Sequence, residues 1–354
     1  MKILYGACGE GMGHAMRSDV VAEHLQTLGH SVTFASSGPA LRYLKRRWPA
    51  FPVMGLGAVI KQNKVCPEAT LFMNSVKSLV AAPLNFLALL NASLAVQPDV
   101  VISDFEPWSA RYAHLTGIPL IAVDNIHFMN RCTHPHEVTM HDRAAAALMY
   151  PIVDNLVPYA QRYLVTTFAY APVCRDQTSL HLPILRPEIL RARAALPGNH
   201  VITYFNAKAD HAQLTDVMHQ VGVPCRAYGM QGLTQPIQSR NVTLCPFSDA
   251  AFIADVASAQ AVIAGAGFTV MTEAIYLGKP MLAVPFAGHF EQILNANYLA
   301  RLGFGERCAQ LTADRLRRFL WRLPMYRARL STFQHDDNRE LLHSVRQALA
   351  EVCS

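Results

Sequence analysis

Short, mainly apolar runs alternate with stretches of helical period along most of this chain. In the first half the runs fall at 2–5, 31–35, 100–103, 119–123 and 162–166. Helical patterns lie between them, at 14–28, through Leu41 and Leu44, at 79–96, from Trp108 and through 144–147. Runs in which apolar residues dominate without strict alternation suit strands buried on both faces, and strands separated by helices predict an α/β fold with a doubly wound parallel sheet. The same alternation returns at 200–205, 224–228, 241–245, 261–264 and 280–284. Between the halves it fails, and Pro172, Pro183, Pro187 and Pro197 crowd the gap. The expected organisation is a first Rossmann-like domain over 1–170, a connection over 171–198, a second Rossmann-like domain over 199–325 and helices over 326–354.

The stretch 262–297 carries the densest chemistry. An apolar run stops at Gly265-Ala266-Gly267, a helix begins at Phe268 and carries Thr269, Thr272 and Glu273, and Gly278-Lys279-Pro280 ends it. A second apolar run follows and leads to His289, Glu291, Gln292, Asn295 and Asn297. A glycine turn lets backbone approach a ligand, and the helix N-terminus after it offers free N–H groups to an anion. Glu273, a turn further in, repels a phosphate and suits sugar hydroxyls instead. Glu291 and Gln292 at the next strand end suit the same task. The plainer reading of these residues is a buried strand-helix-strand with solvated loops.

The order AGxGxxxxTEAxxxGKPxLxxPxxxxxEQxxNAxxL resembles the donor-binding segment of GT-B glycosyltransferases of families 1 and 28. The resemblance implies two Rossmann-like domains facing a cleft, with the last helices packing back on the first domain. It implies a nucleotide diphosphate at Gly265, Gly267, Phe268 and Thr269, the ribose on Glu273, and donor sugar hydroxyls on Glu291 and Gln292. The segment 241–267 is similar to the base-recognition segment of these enzymes, with Phe247 and Ser248 at the uracil, and Asn206 follows the first strand of the second domain towards the diphosphate. Many family 1 members carry a histidine where this chain has Gly265, so the phosphate contact falls to backbone and Thr269.

A second glycine loop, Gly9-Glu10-Gly11-Met12-Gly13-His14, follows the first strand. Strand, GxGxG and helix also fit a dinucleotide site, but the NAD version wants an acidic residue at the end of the second strand, where this chain has Ala35-Ser36-Ser37. NADP stays open, with Ser36 and Arg42 near a 2′-phosphate. The loop resembles the GxGxGHxxRS pattern of a bacterial and archaeal group of GT-B enzymes, in which Gly11 and Gly13 leave room for donor and acceptor. His14 is then the candidate general base, since histidine suits proton abstraction near neutral pH. The segment 101–108 is similar to the DxFxPW segment of family 1, whose aspartate pairs with the histidine. Asp104 is the partner so implied, with Glu106 as fallback; an N-cap is the bland alternative for Asp104. Asp124, Asn125 and His127 stand at another strand end, and Glu106, Asp124 and His127 are the acceptor-side candidates.

Composition then narrows the picture. With 354 residues, 51% of them hydrophobic, the chain can fill two cores. Eight cysteines without a CxxC pair suit free thiols in the cytoplasm. His134, His136 and His141 match no metal-ligand spacing, and no metal and no cofactor beyond a nucleotide-sugar substrate, UDP-linked, is expected. The net charge of +6 suits an anionic partner, either the nucleotide sugar or an anionic membrane touched peripherally at its inner face; nucleic acid is not expected. The run 79–96 is uncharged, but Pro83, Asn85, Asn91 and Ser93 interrupt it, so a helix covering the sheet is expected in place of a span. The reading is an inverting, metal-independent transferase moving a hexose or N-acetylhexosamine to a glycan, lipid or small-molecule hydroxyl. A UDP-sugar 2-epimerase, an NADP oxidoreductase and a non-catalytic nucleotide-sugar binding protein are the alternatives.

Overall fold

The structure, a computed structural model, describes residues 1–57, 59–61, 64–140, 142–192, 198–205, 211–230, 232–246 and 248–353. The first half contains β1 (Lys2–Ala7), β2 (Ser31–Ser36), β3 (Ala50–Pro52), β4 (Ile60–Lys61), β5 (Lys64–Val65), β6 (Val100–Asp104), β7 (Leu120–Asp124), β8 (Arg162–Thr166) and β9 (Thr178–His181). Its helices are α1 (Gly13–Thr27), α2 (Gly38–Leu44), α3 (Pro67–Val96), α4 (Pro107–Thr116), α5 (Phe128–Arg131), α6 (Arg143–Leu156) and α7 (Pro187–Ala192). Seven strands form one parallel sheet in the order β3-β2-β1-β6-β7-β8-β9. Strand order reverses between β1 and β6, where Ala7 lies opposite Asp104, and the loops leaving a sheet at such a reversal frame a crevice.

The second half contains β10 (Val201–Tyr204), β11 (Cys225–Tyr228), β12 (Ile237–Ser239), β13 (Val242–Leu244), β14 (Val262–Ala264), β15 (Met281–Ala283) and β16 (Gly305–Arg307). Its helices are α8 (His211–Val221), α9 (Asp249–Ser258), α10 (Phe268–Tyr276), α11 (Phe290–Leu302), α12 (Ala313–Trp321), α13 (Leu323–Leu330) and α14 (Arg339–Val352). The sheet order is β12-β13-β11-β10-β14-β15-β16, parallel except for β12 against β13. Here the reversal falls between β10 and β14, so the glycine turn after β14 sits at the second crevice. Both strands of the expected motif, β14 and β15, are fully buried, as their unbroken apolarity requires.

Three stretches depart from the sequence reading. Within 171–198, β9 pairs in parallel with β8 and extends the first sheet, because Thr178 to His181 alternate too briefly among prolines to read as a strand. The region 55–70, which shows no strand or helix period in the sequence, holds the antiparallel pair β4 and β5 and the first turn of α3. The helix α3 is longer than its apolar run and does not bury it: Ala81, Asn85 and Leu89 face the domain, while Leu79 is 80% exposed, Phe72 72% and Leu94 71%. Asn85 fixes the helix by accepting from the Met54 N–H and donating to the Met54 carbonyl. At the other end of the chain, α14 packs Leu341, Val345, Ala348 and Leu349 into the core of the first sheet.

The two halves meet over a second joint. Residues 134–140 and Asp142 pack against α11 and β16. His134 Nδ1 lies 2.8 Å from the Tyr298 hydroxyl and its Nε2 2.8 Å from the Phe128 carbonyl, Asn297 donates to the Glu137 carbonyl at 2.6 Å, and Arg307 pairs with Asp142 at 3.3 Å. Buried polar groups need partners, and α11 supplies them.

Candidate active site

The first crevice is built on Asp104, wholly buried at the end of β6. Cys8 donates its N–H to the Asp104 carbonyl at 3.0 Å, which pins the start of the glycine loop there. Gly11 takes φ of +89°, a left-handed turn that a side chain would strain, and α1 starts at Gly13. His14 therefore stands in the first turn of α1, its side chain 15% exposed, with Nδ1 2.8 Å from Asp104 Oδ1. One turn on, Arg17 donates to both oxygens of Asp104, from Nη2 to Oδ1 at 2.5 Å and from Nε to Oδ2 at 2.6 Å, and Ser18 adds a bond of 3.2 Å to Oδ2. Burial pushes the Asp104 carboxyl up, but Arg17 and His14 outweigh it and hold the group below its ordinary value. Asp104 is thus a buried anion pairing with the histidine, the arrangement that orients an imidazole base.

The site continues across the cleft. Arg17 Nη1 donates to Asn125 Oδ1 at 2.5 Å, and Asn125 Nδ2 donates to Glu291 Oε1 at 2.9 Å. Glu291 lies in the first turn of α11, in the second half of the chain. Gln292 beside it accepts from the Phe286 N–H at 3.0 Å and faces Gly265. Thr269, in the first turn of α10, faces Gly13 so closely that a Cβ on that glycine would lie 2.2 Å from Thr269 Oγ1. The first turn of α10 therefore lies against the loop that carries His14, which brings the N-terminus of that helix to the same place.

Other expected residues have different company. Glu106 caps α4, accepting from the Trp108 and Ser109 N–H groups at 3.2 and 2.7 Å, so its carboxylate serves the helix and not an acceptor. Asp124 and His127 bond each other at 2.7 Å with 1% exposure apiece, at the end of β7. The Ser36 hydroxyl donates to the Ala7 carbonyl and is spent within the sheet. Asn206 and Phe247 lie outside the described residues; Ser248, next to the latter, is exposed at the start of α9.

Glu273 is buried on α10, and Arg186 meets its Oε1 through Nε and Nη2, each at 2.8 Å. Arg186 also reaches Asp249 at 3.2 Å. Burial raises the Glu273 carboxyl to about 7, with Arg186 pulling against it. Arg186 comes from the proline-rich stretch between the sheets, where Leu185 exchanges two hydrogen bonds with Asn338. No periodicity marks Arg186 in the sequence. Arg17 was legible in principle, since three residues after His14 is the same helix face.

The model of Glycosyl transferase family 1 matches residues 1–324. The chain belongs to that family. Its relatives include uncharacterized glycosyltransferases of Methanosarcina acetivorans, 24% identical over 341 residues (88% of this chain and 84% of theirs), and of Methanosarcina mazei, 23% identical over 345 residues (88% and 87%). Among solved structures, the calicheamicin glycosyltransferase CalG4 superposes with a TM-score of 0.67 at 18% identity over all of both chains. MurG of Acinetobacter baumannii does so with 0.60 at 18% identity, over 98% of this chain and all of its own. This family 1 glycosyltransferase therefore has the GT-B fold, with a sugar donor and an acceptor as its substrates. The epimerase, oxidoreductase and binding-protein alternatives fall away.

Proposed function

We propose that the enzyme transfers a hexose or N-acetylhexosamine from a UDP sugar to an acceptor hydroxyl with inversion and without a metal. The observation that carries this reading is the His14–Asp104 pair at 2.8 Å, at the mouth of a crevice whose opposite wall is the N-terminus of α10. His14 takes the proton of the acceptor hydroxyl as its oxygen attacks the anomeric carbon, and the diphosphate leaves from the opposite face. Its charge is met by the N–H groups of the Gly265–Gly267 turn and α10, with Thr269 beside them, in preorganised positions. Ribose falls to Glu273, donor sugar hydroxyls to Glu291 and Gln292, and the base to Phe247 and Ser248.

The acceptor is a glycan, a lipid or a small molecule bearing a hydroxyl. Attachment at the inner face of the cell membrane is part of the same reading: α3 presents Phe72, Val76, Leu79, Leu84, Leu87 and Leu94 outwards, and all eight cysteines are free thiols, which suits a cytoplasmic setting.

The test is a thermal-shift panel of UDP, GDP, dTDP, UDP-glucose, UDP-N-acetylglucosamine and NADP, followed by turnover. A ligand at a hundredfold excess over its Kd stabilises by about 2.7 kcal/mol, which such a scan resolves. UDP or a UDP sugar is expected to shift the melting temperature, and His14→Ala to lower turnover by about 10²–10⁴ with UDP affinity kept. A shift with dTDP or GDP alone would replace the donor, and a His14→Ala variant with full turnover would remove the base.

A further inference from the structure

The hydrogen bonds around Asp104 contain a conflict that the base reading leaves unresolved. His14 Nδ1 and Arg17 Nη2 both approach Asp104 Oδ1, and the two nitrogens are 2.6 Å apart. If Nδ1 carries the ring proton, it donates to Asp104 and Nε2 is bare, able to take a proton. If Nδ1 is bare, it accepts from Arg17 Nη2, the proton sits on Nε2, and the ring has no lone pair to offer there. The position of one guanidinium edge separates the two states.

That guanidinium is held at three points. Nε bonds Asp104 Oδ2 at 2.6 Å, Nη2 bonds Oδ1, and Nη1 bonds Asn125 Oδ1 at 2.5 Å. Asn125 can serve both its neighbours in one orientation only, with the carbonyl oxygen to Arg17 and the amide nitrogen to Glu291. With Nη1 fixed on Asn125, the rigid fork commits Nη2 to the carboxylate although His14 Nδ1 lies within its reach; released, the guanidinium can leave Oδ1 and donate to Nδ1 instead. Glu291 comes from the second domain, so the hold is complete only while the two domains meet.

We propose that Arg17 is a positioning residue that selects the tautomer of His14, and that Asn125 and Glu291 hold it in the selecting position from across the cleft. This rests on His14 as the base. Domain contact then sets the base: when Glu291 reaches Asn125, Nε2 of His14 is bare, and when it withdraws, the ring loses that preference. A base readied only by the assembled cleft limits proton transfer to the moment when donor and acceptor are enclosed.

The experiment uses the full chain labelled with ¹⁵N at histidine, with the His14 ring assigned by its disappearance in His14→Gln. Wild type, Asn125→Ala and Arg17→Lys are compared with saturating UDP. Lysine keeps the buried charge but not the fork, and Asn125→Ala leaves the Asp104 ion pair intact, so a folded protein is available if either variant fails. Expected is a ring protonated at Nδ1 in wild type and protonated wholly or partly at Nε2 in the variants. Hydrolysis of UDP-glucose or UDP-N-acetylglucosamine, whichever wild type accepts, falls by at least about tenfold with UDP affinity within about twofold. The same tautomer in all three proteins overturns the proposal. A His14→Ala protein that hydrolyses the donor as wild type does would instead overturn the base reading, and the ring signals would still decide whether Arg17 sets the tautomer.

Discussion

Glu273 shows how one buried carboxyl makes stability depend on pH. Its carboxyl titrates near 7 in the fold against 4.5 ordinarily, so between those values the folded chain holds the proton more tightly than the unfolded one. Ionisation then costs the fold, and this residue's contribution falls as pH rises from about 4.5 to 7 and levels off above. Asp104 acts in the opposite sense: its lowered value gives stability that is present above the usual aspartate range and lost as pH falls through it. Glu273→Gln keeps the shape and removes the titration. Urea unfolding of the two proteins is expected to give a difference that favours the variant increasingly across that window, by at most about 1.4 kcal/mol per pH unit, and is flat below it. A difference flat throughout would mean that Arg186 fully offsets the burial. At this scale the sequence was half legible. Asp104 ends β6 and His14 follows the loop after β1; the loops were readable from pattern, and the pairing was what the family resemblance implied. Arg186 owes its place to the path of a chain without period, which no local signal encodes.

At the scale of elements, the central strands of both sheets were legible because burial on both faces makes them mainly apolar, while the edge strands β3, β9, β12 and β16 lie outside the apolar runs. The helix α3 was legible as a helix and not as a surface. Its period of exposure, Phe72, Val76, Leu79, Leu84, Leu87 and Leu94, marks an apolar face, and burial is the usual fate of such a face. Here a narrow strip of Ala81, Asn85 and Leu89 does the packing, and only the tertiary fold determines that. The segment Phe72–Val96 is long and apolar enough to cross a membrane, with a mean hydropathy of 1.9. Because Asn85 and its neighbours fasten the middle of α3 to the domain, we expect it to lie along a lipid surface with that face down. Leu79→Glu with Leu87→Glu should abolish sedimentation with phosphatidylglycerol vesicles while the melting temperature stays within a few degrees, since both residues are exposed. Sedimentation equal to wild type would assign the face to something other than lipid.

At the scale of the whole molecule, two sheets reverse strand order at points that face one another, and the glycine loop of one meets the first turn of α10 in the other. The closeness of that meeting depends on a missing side chain. A Cβ at Gly13 would lie 2.2 Å from Thr269 Oγ1, far inside contact distance, and a β-branched threonine has few rotamers by which to retreat. Gly13→Ala should therefore keep both domains folded and hold them apart. With UDP bound, small-angle scattering is expected to give a larger radius of gyration for Gly13→Ala than for wild type. Donor hydrolysis should fall with it, because the Asn125–Glu291 bond of 2.9 Å needs the same approach. Adding Thr269→Ala removes the obstructing oxygen and should bring the scattering back towards wild type, whatever it does to phosphate contacts. That reversal is the informative arm: a local distortion of the loop would persist in the double variant, whereas a steric wedge between domains would not. Identical scattering from Gly13→Ala and wild type would mean that the loop gives way and that the contact does not limit how closely the domains meet.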